Sequence, residues 1–401
     1  MTASPSERTP AAWILTPAAP QGFQIWGMTP AERLRRSLER AGCRPVRSAS
    51  PGEALEPPPG GSALLLRADW IYDERLMGAL AAAPDTVLTA PADGGSPVAA
   101  HVAAGAYPDA RRALEEGRTP EIPGLRAVGP EELAPAYTAE LRKSEPPYLL
   151  PVRSESVAEI ERCTFAASYK GATDLVTKWV WPLPARVVTR RLADAHVHPN
   201  TVTLVSWALA LAAFALFWKG AFGLGLAAAW LMTFLDTVDG KLARVTLTSS
   251  RFGDVLDHSL DLVHPPFWWF AWGVGIGAPW EPATLVVVAG YFAGRLLEGL
   301  FLLRFRIETH SWRPIDTLFR TITARRNPNL ILFSVGALAG RPDLGMEMVA
   351  LWTLASLAFH GVRLLQAFIA QRRGEPVTPW DEALKPAERP IEETGGGADA
   401  T

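Results

Sequence analysis

Four aspartates lie close together in a part of the chain that is otherwise strongly apolar: Asp236, Asp239, Asp257 and Asp261. A carboxylate in the middle of a membrane costs about 2.5–3.5 kcal/mol on insertion scales, so four of them within a few helical turns require a compensating cation. Oxygen ligands of this kind suit Mg²⁺ or Mn²⁺ and do not suit zinc. The stretch therefore predicts a divalent-metal site.

The spacing of these residues would bring them onto facing surfaces of two helices. If residues 222–244 form one helix, the positions i, i+3 and i+7 share a face. Those positions hold Asp236, Asp239 and Ala243. On the next helix, the positions i, i+4 and i+8 hold Gly253, Asp257 and Asp261. Two antiparallel helices would thus point four carboxylates at one another.

The same residues carry a family resemblance. The pattern Asp236-x-x-Asp239-Gly240-x-x-Ala243-Arg244, followed after eight residues by Gly253-x-x-x-Asp257-x-x-x-Asp261, resembles the complete signature of the CDP-alcohol phosphotransferases, with no departure at any position. The resemblance implies six transmembrane helices, a homodimer, and two divalent ions between the second and third helices. It also implies a reaction in which the CDP-linked phospho-alcohol moves to an acceptor hydroxyl and CMP leaves.

Carried over by position, the aspartates receive metal and proton roles. The resemblance implies that Asp236, Asp239 and Asp257 hold one ion, and that Asp257 and Asp261 with Asp236 hold the other. Asp261 would also be the general base that takes the proton of the acceptor hydroxyl, a task that suits a carboxylate within reach of the nucleophile. Two ions can clamp a pyrophosphate and stabilise both the attacking and the leaving oxygen.

The remaining signature residues receive nucleotide roles. Gly240, Ala243 and Gly253 would lie against the cytidine nucleotide, where a larger side chain would prevent close approach. Arg244 would pair with the phosphates, for which the guanidinium fork is suited. The alternative for the whole cluster is a membrane scaffold or ion transporter that keeps the aspartates for structure, in which the small residues and the arginine would have no evident role.

Composition divides the chain into a charged first part and an apolar second part. Its 401 residues are enough for two domains, and the net charge of −2 gives no support to nucleic-acid binding. Two cysteines, Cys43 and Cys163, are too few for a disulfide framework or a metal site. The first residues lack the charged-then-apolar pattern of a signal peptide, so we expect the first domain to stay in the cytoplasm.

Residues 1–141 are predicted to form a soluble α/β domain. Short apolar runs that can be buried strands alternate with helical patterns, one of which has Thr29 as N-cap, Pro30 in its first turn and Gly42 at its end. This alternation predicts a parallel sheet covered by helices. The predicted strands are 12–15, 63–66 and 86–88, and the predicted helices are 29–42 and 73–83.

This first domain resembles the sugar-phosphate nucleotidyltransferase fold, which in some relatives precedes a CDP-alcohol phosphotransferase and makes CDP-inositol for it. The chain departs from that fold at the phosphate loop, because TPAAPQGFQIWGMTP contains no Gly-x-Gly and no lysine. Asp69 is either a remnant of a metal-binding aspartate or a solvated loop residue. We expect a degenerate domain that regulates, docks or binds nucleotide without turnover, with a working cytidylyltransferase as the alternative.

Residues 142–200 are predicted to be a linker followed by an interfacial helix. The first part is charged and contains proline, as linkers do. The second part mixes apolar residues such as Trp179 and Val187 with basic residues such as Arg186 and Arg190. This composition is typical of a helix on the cytoplasmic membrane surface, and an ordinary soluble helix is the alternative.

Residues 201–373 are predicted to be an α-helical membrane domain of six transmembrane helices, most of which approach the ~20 residues that a span needs. Arginines cluster between the fourth and fifth segments and after the sixth. The positive-inside rule therefore places both termini and the aspartates at the cytoplasmic face of the inner or plasma membrane. Residues 374–401 are predicted to be a disordered tail. The apolar segments are 201–218, 222–243, 253–277, 283–303, 329–340 and 347–370.

Arginines near the cytoplasmic helix ends are candidates for binding the acceptor: Arg304, Arg325, Arg326 and Arg363. They resemble the basic pocket that the inositol-phosphate-using branch of the family places there, and the alternative is that they only set the topology. The sequence thus predicts an integral-membrane, Mg²⁺-dependent or Mn²⁺-dependent phosphotransferase of phospholipid synthesis with CDP-diacylglycerol as donor. The alternative function is an inositol-phosphate-type phosphotransferase whose soluble CDP-polyol donor is made by the N-terminal domain.

Overall fold

The computed structural model describes residues 10–18, 22–53, 61–138, 141 and 143–380. Inside the helix at residues 251–275, the side chains at positions 251, 252, 254, 257 and 258 also lie outside the described part. The prediction of disorder for residues 381–401 falls outside it as well.

The first part of the chain contains a six-stranded mixed sheet with the order β2-β1-β3-β6-β5-β7. Neighbouring strands are parallel in the β1–β2, β1–β3 and β5–β7 pairs. The strands are β1 Ala11–Leu15, β2 Val46–Ala49, β3 Ser62–Arg67, β4 Trp70–Tyr72, β5 Thr86–Ala90, β6 Ser96–Ala103, β7 Arg126–Val128, β8 Tyr137–Thr138, β9 Lys143–Ser144 and β10 Leu149–Pro151.

The prediction of a wholly parallel sheet is wrong at β6, which runs antiparallel to both β3 and β5. The reason is the short connection between β5 and β6. It turns through Gly94 and Gly95, both with positive φ (68° and 80°), and leaves no length for the helix that a parallel crossover needs.

Helices cover both faces of this sheet, which explains its continuous apolar strands. Ile14 and Leu64 point to the face that packs on α1 and α2, whereas Trp13 and Leu65 point to the face that packs on α3. The predicted N-cap is confirmed, since Thr29 Oγ1 accepts a hydrogen bond from the Glu32 amide at 3.2 Å. The helices are α1 Pro30–Arg40, α2 Glu74–Ala82, α3 Tyr107–Glu115 and α4 Pro130–Leu133.

Part of the segment predicted to be a linker forms regular secondary structure. β10 pairs antiparallel with β4, and two helices follow, α5 Val157–Ala167 and α6 Pro182–Asp194, separated by a π-helical turn at Val176–Val180. The turn and α6 expose apolar side chains, with Trp179 63% exposed and Leu183 71% exposed. This outward apolar surface beside Arg186 and Arg190 is what an interfacial helix would present.

Long helices fill the rest of the chain, and all six predicted segments are helical. Four of them, α7, α8, α10 and α13, are long and apolar enough to cross a membrane. α12 has 13 residues and is therefore about 20 Å long, shorter than a bilayer core. The helices are α7 Pro199–Trp218, α8 Phe222–Val245, α9 Arg251–Gly275, α10 Pro282–Phe305, α11 Pro314–Arg320, α12 Arg326–Leu338 and α13 Pro342–Arg372.

The bundle has an aromatic interior and an apolar exterior. Trp268, Trp272 and Phe333 are fully buried in one cluster. Leu211 on α7 and Leu351 on α13 are 64% and 71% exposed. Apolar exposure of this extent on long helices is stable against lipid tails and not against water.

After α13, the first residues of the predicted tail are ordered on the bundle. The Trp380 indole Nε1 donates to Thr317 Oγ1 at 2.9 Å, and the Trp380 amide donates to the Ser311 carbonyl at 3.0 Å. Trp380, within the segment predicted to be a disordered tail, is therefore held on the bundle by two hydrogen bonds.

A shared core joins the first part of the chain to the helices. It contains Trp26 and Met28 from the turn before α1, Phe165 from α5, and Val238 and Val245 from α8. The backbone turn at Gly27 (φ +70°) lies so close to the end of α6 that a Cβ would stand 2.4 Å from the Ala193 carbonyl oxygen.

We expect Gly27→Ala to destabilise the protein strongly, because the new methyl group meets backbone that cannot move aside. Left-handed backbone alone costs about 1–2 kcal/mol for a non-glycine residue, and the clash adds to that. Thermal unfolding in detergent measures the effect. Gly52→Ala is the matched control, since Gly52 has a similar φ (+75°) and nothing within 4 Å of the new Cβ. Equal losses in both variants would contradict the close packing at Gly27.

Candidate active site

Four of the signature residues line one large cavity of about 590 Å³ between the helix ends. α8 contributes Asp236, Gly240 and Arg244 to its wall, and α9 contributes Asp261. These α8 positions share a helix face by their i, i+4, i+8 spacing, and α9 brings Asp261 opposite to them. The other signature side chains in the described part of the chain, those of Asp239, Ala243 and Gly253, are not among the lining residues.

Asp239 lies behind the cavity wall. It is only 3% exposed, and its Oδ2 accepts a hydrogen bond from Thr203 Oγ1 of α7 at 2.6 Å. Gly253 packs against α7 too, because a Cβ there would be 2.9 Å from Asn200 Oδ1. A larger residue at this position would therefore require the Asn200 side chain to shift.

Arg326, at the start of α12, bridges the two carboxylates that face the cavity. Its Nη2 lies 2.5 Å from Asp236 Oδ2, and its Nη1 lies 2.7 Å from Asp261 Oδ1. The Asp261 side chain remains 55% exposed toward the cavity, whereas that of Asp236 is 10% exposed. One guanidinium therefore supplies the positive charge that two carboxylates from different helices need at this depth.

The donor set fits a hard divalent cation, because it consists of carboxylate oxygens that already gather around a positive group. Asp257 lies on α9 between Gly253 and Asp261, and its side chain is outside the described part. Among the described residues, no three His, Cys, Asp or Glu side chains converge on one point.

The backbone below Asp261 is shaped by two prolines in α9. Pro265 and Pro266 lack N–H groups, so the carbonyls of Asp261 and Leu262 lose their helical partners. Tyr291 on α10 replaces them: its hydroxyl donates to the Leu262 carbonyl at 2.8 Å and lies 3.4 Å from the Asp261 carbonyl.

One side of the cavity is formed by the segment after α5, which the sequence analysis did not assign to the site. The Ser168 carbonyl accepts hydrogen bonds from Lys241 Nζ at 3.0 Å and from Arg244 Nη1 at 3.4 Å. Lys241 Nζ also sits 3.3 Å from the centroid of the Tyr169 ring, a cation–π contact. Lys170 lines the cavity next to this ring.

The cavity is also lined by three further arginines, called the arginine wall here: Arg295, Arg320 and Arg325. Glu298 pairs with two of them, at 2.8 Å from Arg295 Nη2 and 2.6 Å from Arg325 Nη2. Arg320 Nε and Nη1 are buried without a hydrogen-bond acceptor among the described residues. Burial and the positive charge of Arg325 lower the pKa of the Arg320 guanidinium to about 9, which leaves it charged at neutral pH. Positive charge therefore exceeds its local partners here.

The predicted acceptor residues separate into two pairs. Arg325 and Arg326 line the cavity, as the acceptor hypothesis requires. Arg304 instead lies against the rings of Phe305 and Phe368, and Arg363 is held by two hydrogen bonds to Asp316. Neither appears among the described lining residues. The sequence analysis counted Arg320 only among the arginines that set the membrane topology. In the structure Arg320 lines the cavity.

Asp174 fastens the segment before α6 to the start of α12. Its Oδ1 accepts from the Val176 amide at 3.0 Å, and its Oδ1 also accepts from Asn327 Nδ2 at 2.9 Å. Since Asn327 follows Arg326 directly, this contact helps to hold the bridging arginine. Sequence gave no signal for it, because the two residues are 153 positions apart.

Comparison with known proteins places the signature region in a family. Residues 196–327 match the family model for CDP-alcohol phosphatidyltransferases. The chain is 33% identical over 185 residues to the bifunctional IPC transferase and DIPP synthase of Rubrobacter xylanophilus, which covers 46% of this chain and 39% of that protein. It is 35% identical over 182 residues to the phosphatidylinositol phosphate synthase of Mycobacteroides abscessus, covering 42% of this chain and 77% of that protein.

Two further likenesses are more distant. The archaetidylinositol phosphate synthase of Pyrococcus horikoshii is 28% identical over 169 residues, with 42% of this chain and 84% of that protein covered. The crystal structure of Mycobacterium tuberculosis phosphatidylinositol phosphate synthase with CDP-DAG bound has a TM-score of 0.36 and 19% identity, covering 44% of this chain and 91% of that one. A TM-score of this size supports no inference about geometry.

The extent of the Mycobacteroides match, the family model and the four apolar helices agree. The chain is a membrane transferase of phospholipid biosynthesis and belongs to the CDP-alcohol phosphatidyltransferase family.

Proposed function

We propose that the protein transfers a phospho-alcohol from CDP-diacylglycerol to a phosphorylated polyol acceptor of the inositol-phosphate type, with release of CMP. The observation that carries the acceptor class is the group of cavity-lining arginines, where buried guanidinium donors of Arg320 have no acceptor among the described residues. A dianionic phosphate provides the acceptor oxygens and the negative charge that this arginine wall lacks. The names of two relatives agree, since they are a phosphatidylinositol phosphate synthase and an archaetidylinositol phosphate synthase.

The side chains at the cavity divide the work of the reaction. The acceptor hydroxyl oxygen attacks the phosphorus that carries the lipid alcohol, the bond from that phosphorus to the oxygen of CMP breaks, and the hydroxyl proton passes to the Asp261 carboxylate. Asp261 is suited to this role because its side chain is the exposed one of the bridged pair. Arg244, about two helical turns after Asp236 on α8, binds the departing nucleotide phosphate.

We propose two Mg²⁺ ions, or Mn²⁺ in their place, held by Asp236, Asp239, Asp257 and Asp261. When bound, such ions stabilise the charge on the pyrophosphate and on the leaving oxygen. The six helices would all be membrane-embedded, with the site and both termini at the cytoplasmic face, as the arginines between α10 and α12 favour. A homodimer follows from the family resemblance.

The second candidate function uses a soluble CDP-polyol donor, made by the first domain acting as a cytidylyltransferase. The Rubrobacter relative, with its bifunctional name, favours it. Against turnover in that domain stands Asp69, whose two carboxylate oxygens are held by Arg67 at 3.0 and 2.6 Å. We therefore propose that the domain is degenerate.

The reaction is tested by CMP release from purified detergent-solubilised protein with Mg²⁺, CDP-diacylglycerol and a panel of inositol 1-phosphate, glycerol 3-phosphate, inositol and serine. We expect release with inositol 1-phosphate and a loss of at least about 100-fold in Asp261→Asn, because the general base is removed. Asp343→Asn is the control, since Asp343 pairs with Arg341 at 2.7 Å outside the site. Release that persists in Asp261→Asn would refute the assignment, and release only with a soluble CDP-polyol would select the second candidate.

The nucleotide role of Gly240 can be separated from packing. A Cβ at this position would meet only the Arg244 guanidinium, at 3.5 Å or more, so Gly240→Ala leaves the fold intact. We expect the KM for the CDP donor to rise about tenfold while the melting temperature stays the same or rises, since alanine favours helix. Gly223→Ala, at the far end of α8 and with an open Cβ position, is the control. An unchanged KM in Gly240→Ala would contradict the proposal that the nucleotide lies against this face of α8.

If the arginine wall binds the phosphate of the acceptor, removing one of its arginines should weaken the binding of phosphorylated acceptors. Arg320→Met should raise the KM for a phosphorylated acceptor by about tenfold or more, because a charge-assisted hydrogen bond is worth about 1.5–3 kcal/mol. Arg304→Met is the control and should leave this KM unchanged, since Arg304 lies on aromatic rings away from the wall. Steady-state kinetics with both variants checks the expectation. Equal effects in the two variants would show that overall basic charge, and not this wall, binds the acceptor.

A further inference from the structure

The first domain contacts the helix that bears the signature at the helix's C-terminal end. α8 ends at Val245, where the carbonyls of Leu242, Ala243 and Arg244 accept hydrogen bonds from the amides of residues 246–248. The next two carbonyls, those of Val245 and Thr246, accept no backbone amide among the described residues. Arg33 and Arg36 of α1 reach them: Arg33 Nη1 donates to the Val245 carbonyl, and Arg36 Nη1 donates to the Thr246 carbonyl at 3.0 Å. Two cations at a helix C-terminus also interact favourably with the negative end of the helix dipole.

One of these contacts is buried and the other is fixed by an ion pair. Arg33 is only 5% exposed, which is rare for an arginine outside an ion pair. Arg36 is half-buried and is oriented by Glu32 of its own helix, with Nε at 2.9 Å from Oε1. Both guanidiniums therefore occupy defined positions.

The turn before α1 is joined to a second element of the site. The Trp26 indole Nε1 donates to Thr164 Oγ1 on α5 at 2.9 Å, and the Trp26 amide donates to Glu161 Oε1 at 3.3 Å. One residue after α5, the Ser168 carbonyl holds Lys241 and Arg244. The first domain thus contacts α8 directly through α1 and indirectly through α5.

Both contacts end on the part of α8 that would face the nucleotide. Arg244 immediately precedes Val245, and Gly240 lies about one turn earlier. The end of a helix frays unless its carbonyls are satisfied, and fraying here would move the Arg244 guanidinium away from the cavity. Asp261, by contrast, is on the neighbouring helix α9, whereas the hydrogen bonds of Arg33 and Arg36 go to the end of α8.

We propose that α1 of the first domain is a positioning element of the transferase site, in which Arg33 and Arg36 hold the last turn of α8 so that Arg244 and Lys241 face the nucleotide phosphates. The proposal rests on the function proposed above and gives the degenerate domain a task that needs no nucleotide turnover. Its effect falls on the binding of the CDP donor and leaves the proton transfer at Asp261 unchanged.

The test compares Arg33→Met, Arg33→Lys and Arg35→Met in the full-length protein. Methionine keeps the buried stem but removes the donors, lysine restores the charge and one donor, and Arg35 is a control on the same helix whose partners are Glu32 and Glu39. We expect the KM for the CDP donor and the Kd for CDP by calorimetry to rise about tenfold in Arg33→Met with kcat within about twofold, and to recover in part in Arg33→Lys. Arg36→Met, at the less buried cap, replaces Arg33→Met if that variant does not fold.

Hydrogen exchange at the amides of residues 242–248 separates failure of this proposal from failure of the proposed function. Exchange should be faster in Arg33→Met than in Arg35→Met, whether or not the wild type releases CMP with any acceptor tried. Faster exchange together with weaker CDP binding supports the positioning role. Unchanged exchange, unchanged CDP affinity, or an equal loss of kcat and affinity in Arg35→Met would each overturn it.

Discussion

Carboxylates inside an apolar helix bundle need positive groups or hydrogen-bond donors beside them. Arg326 meets that need for Asp236 of α8 and Asp261 of α9, and it joins the two helices at one junction. The cavity opens beside this junction, and Gly240 and Arg244 continue from it along α8. Without such charge, the buried Asp236 carboxylate would cost several kcal/mol in this environment.

The junction is also held by contacts beyond Arg326. Asp174 fixes the residue that follows Arg326, Thr203 of α7 donates to Asp239 of α8, and α1 contacts the far end of α8. Asp174, Thr203 and α1 lie outside the signature. A cavity whose walls carry several charges of the same sign needs such supports, because like charges repel one another when no substrate is present.

The sequence predicted the helices that carry the signature well, since all six apolar segments are helical. The facing of their side chains was predicted only in part: spacing placed Asp236, Asp239 and Ala243 on one face, but of these three only Asp236 lines the cavity, together with Gly240 and Arg244. The direction of β6 was missed because it depends on the length of a single turn. Arg320 and Tyr169 were missed as lining residues, and Arg304 and Arg363 were placed near the site, because side chains at helix ends choose among several neighbours and only tertiary packing decides.

Tyr291, Pro265 and Pro266 have a consequence for anyone who wishes to redesign this bundle. The carbonyls that the prolines of α9 leave without an amide are completed by a hydroxyl from α10, so the two helices are not interchangeable parts. A graft of α9 into another scaffold would have to bring a hydroxyl donor on the adjoining helix. Replacing the prolines alone would supply amides that compete for the carbonyls the tyrosine now occupies, so the three positions form a single module for protein engineering.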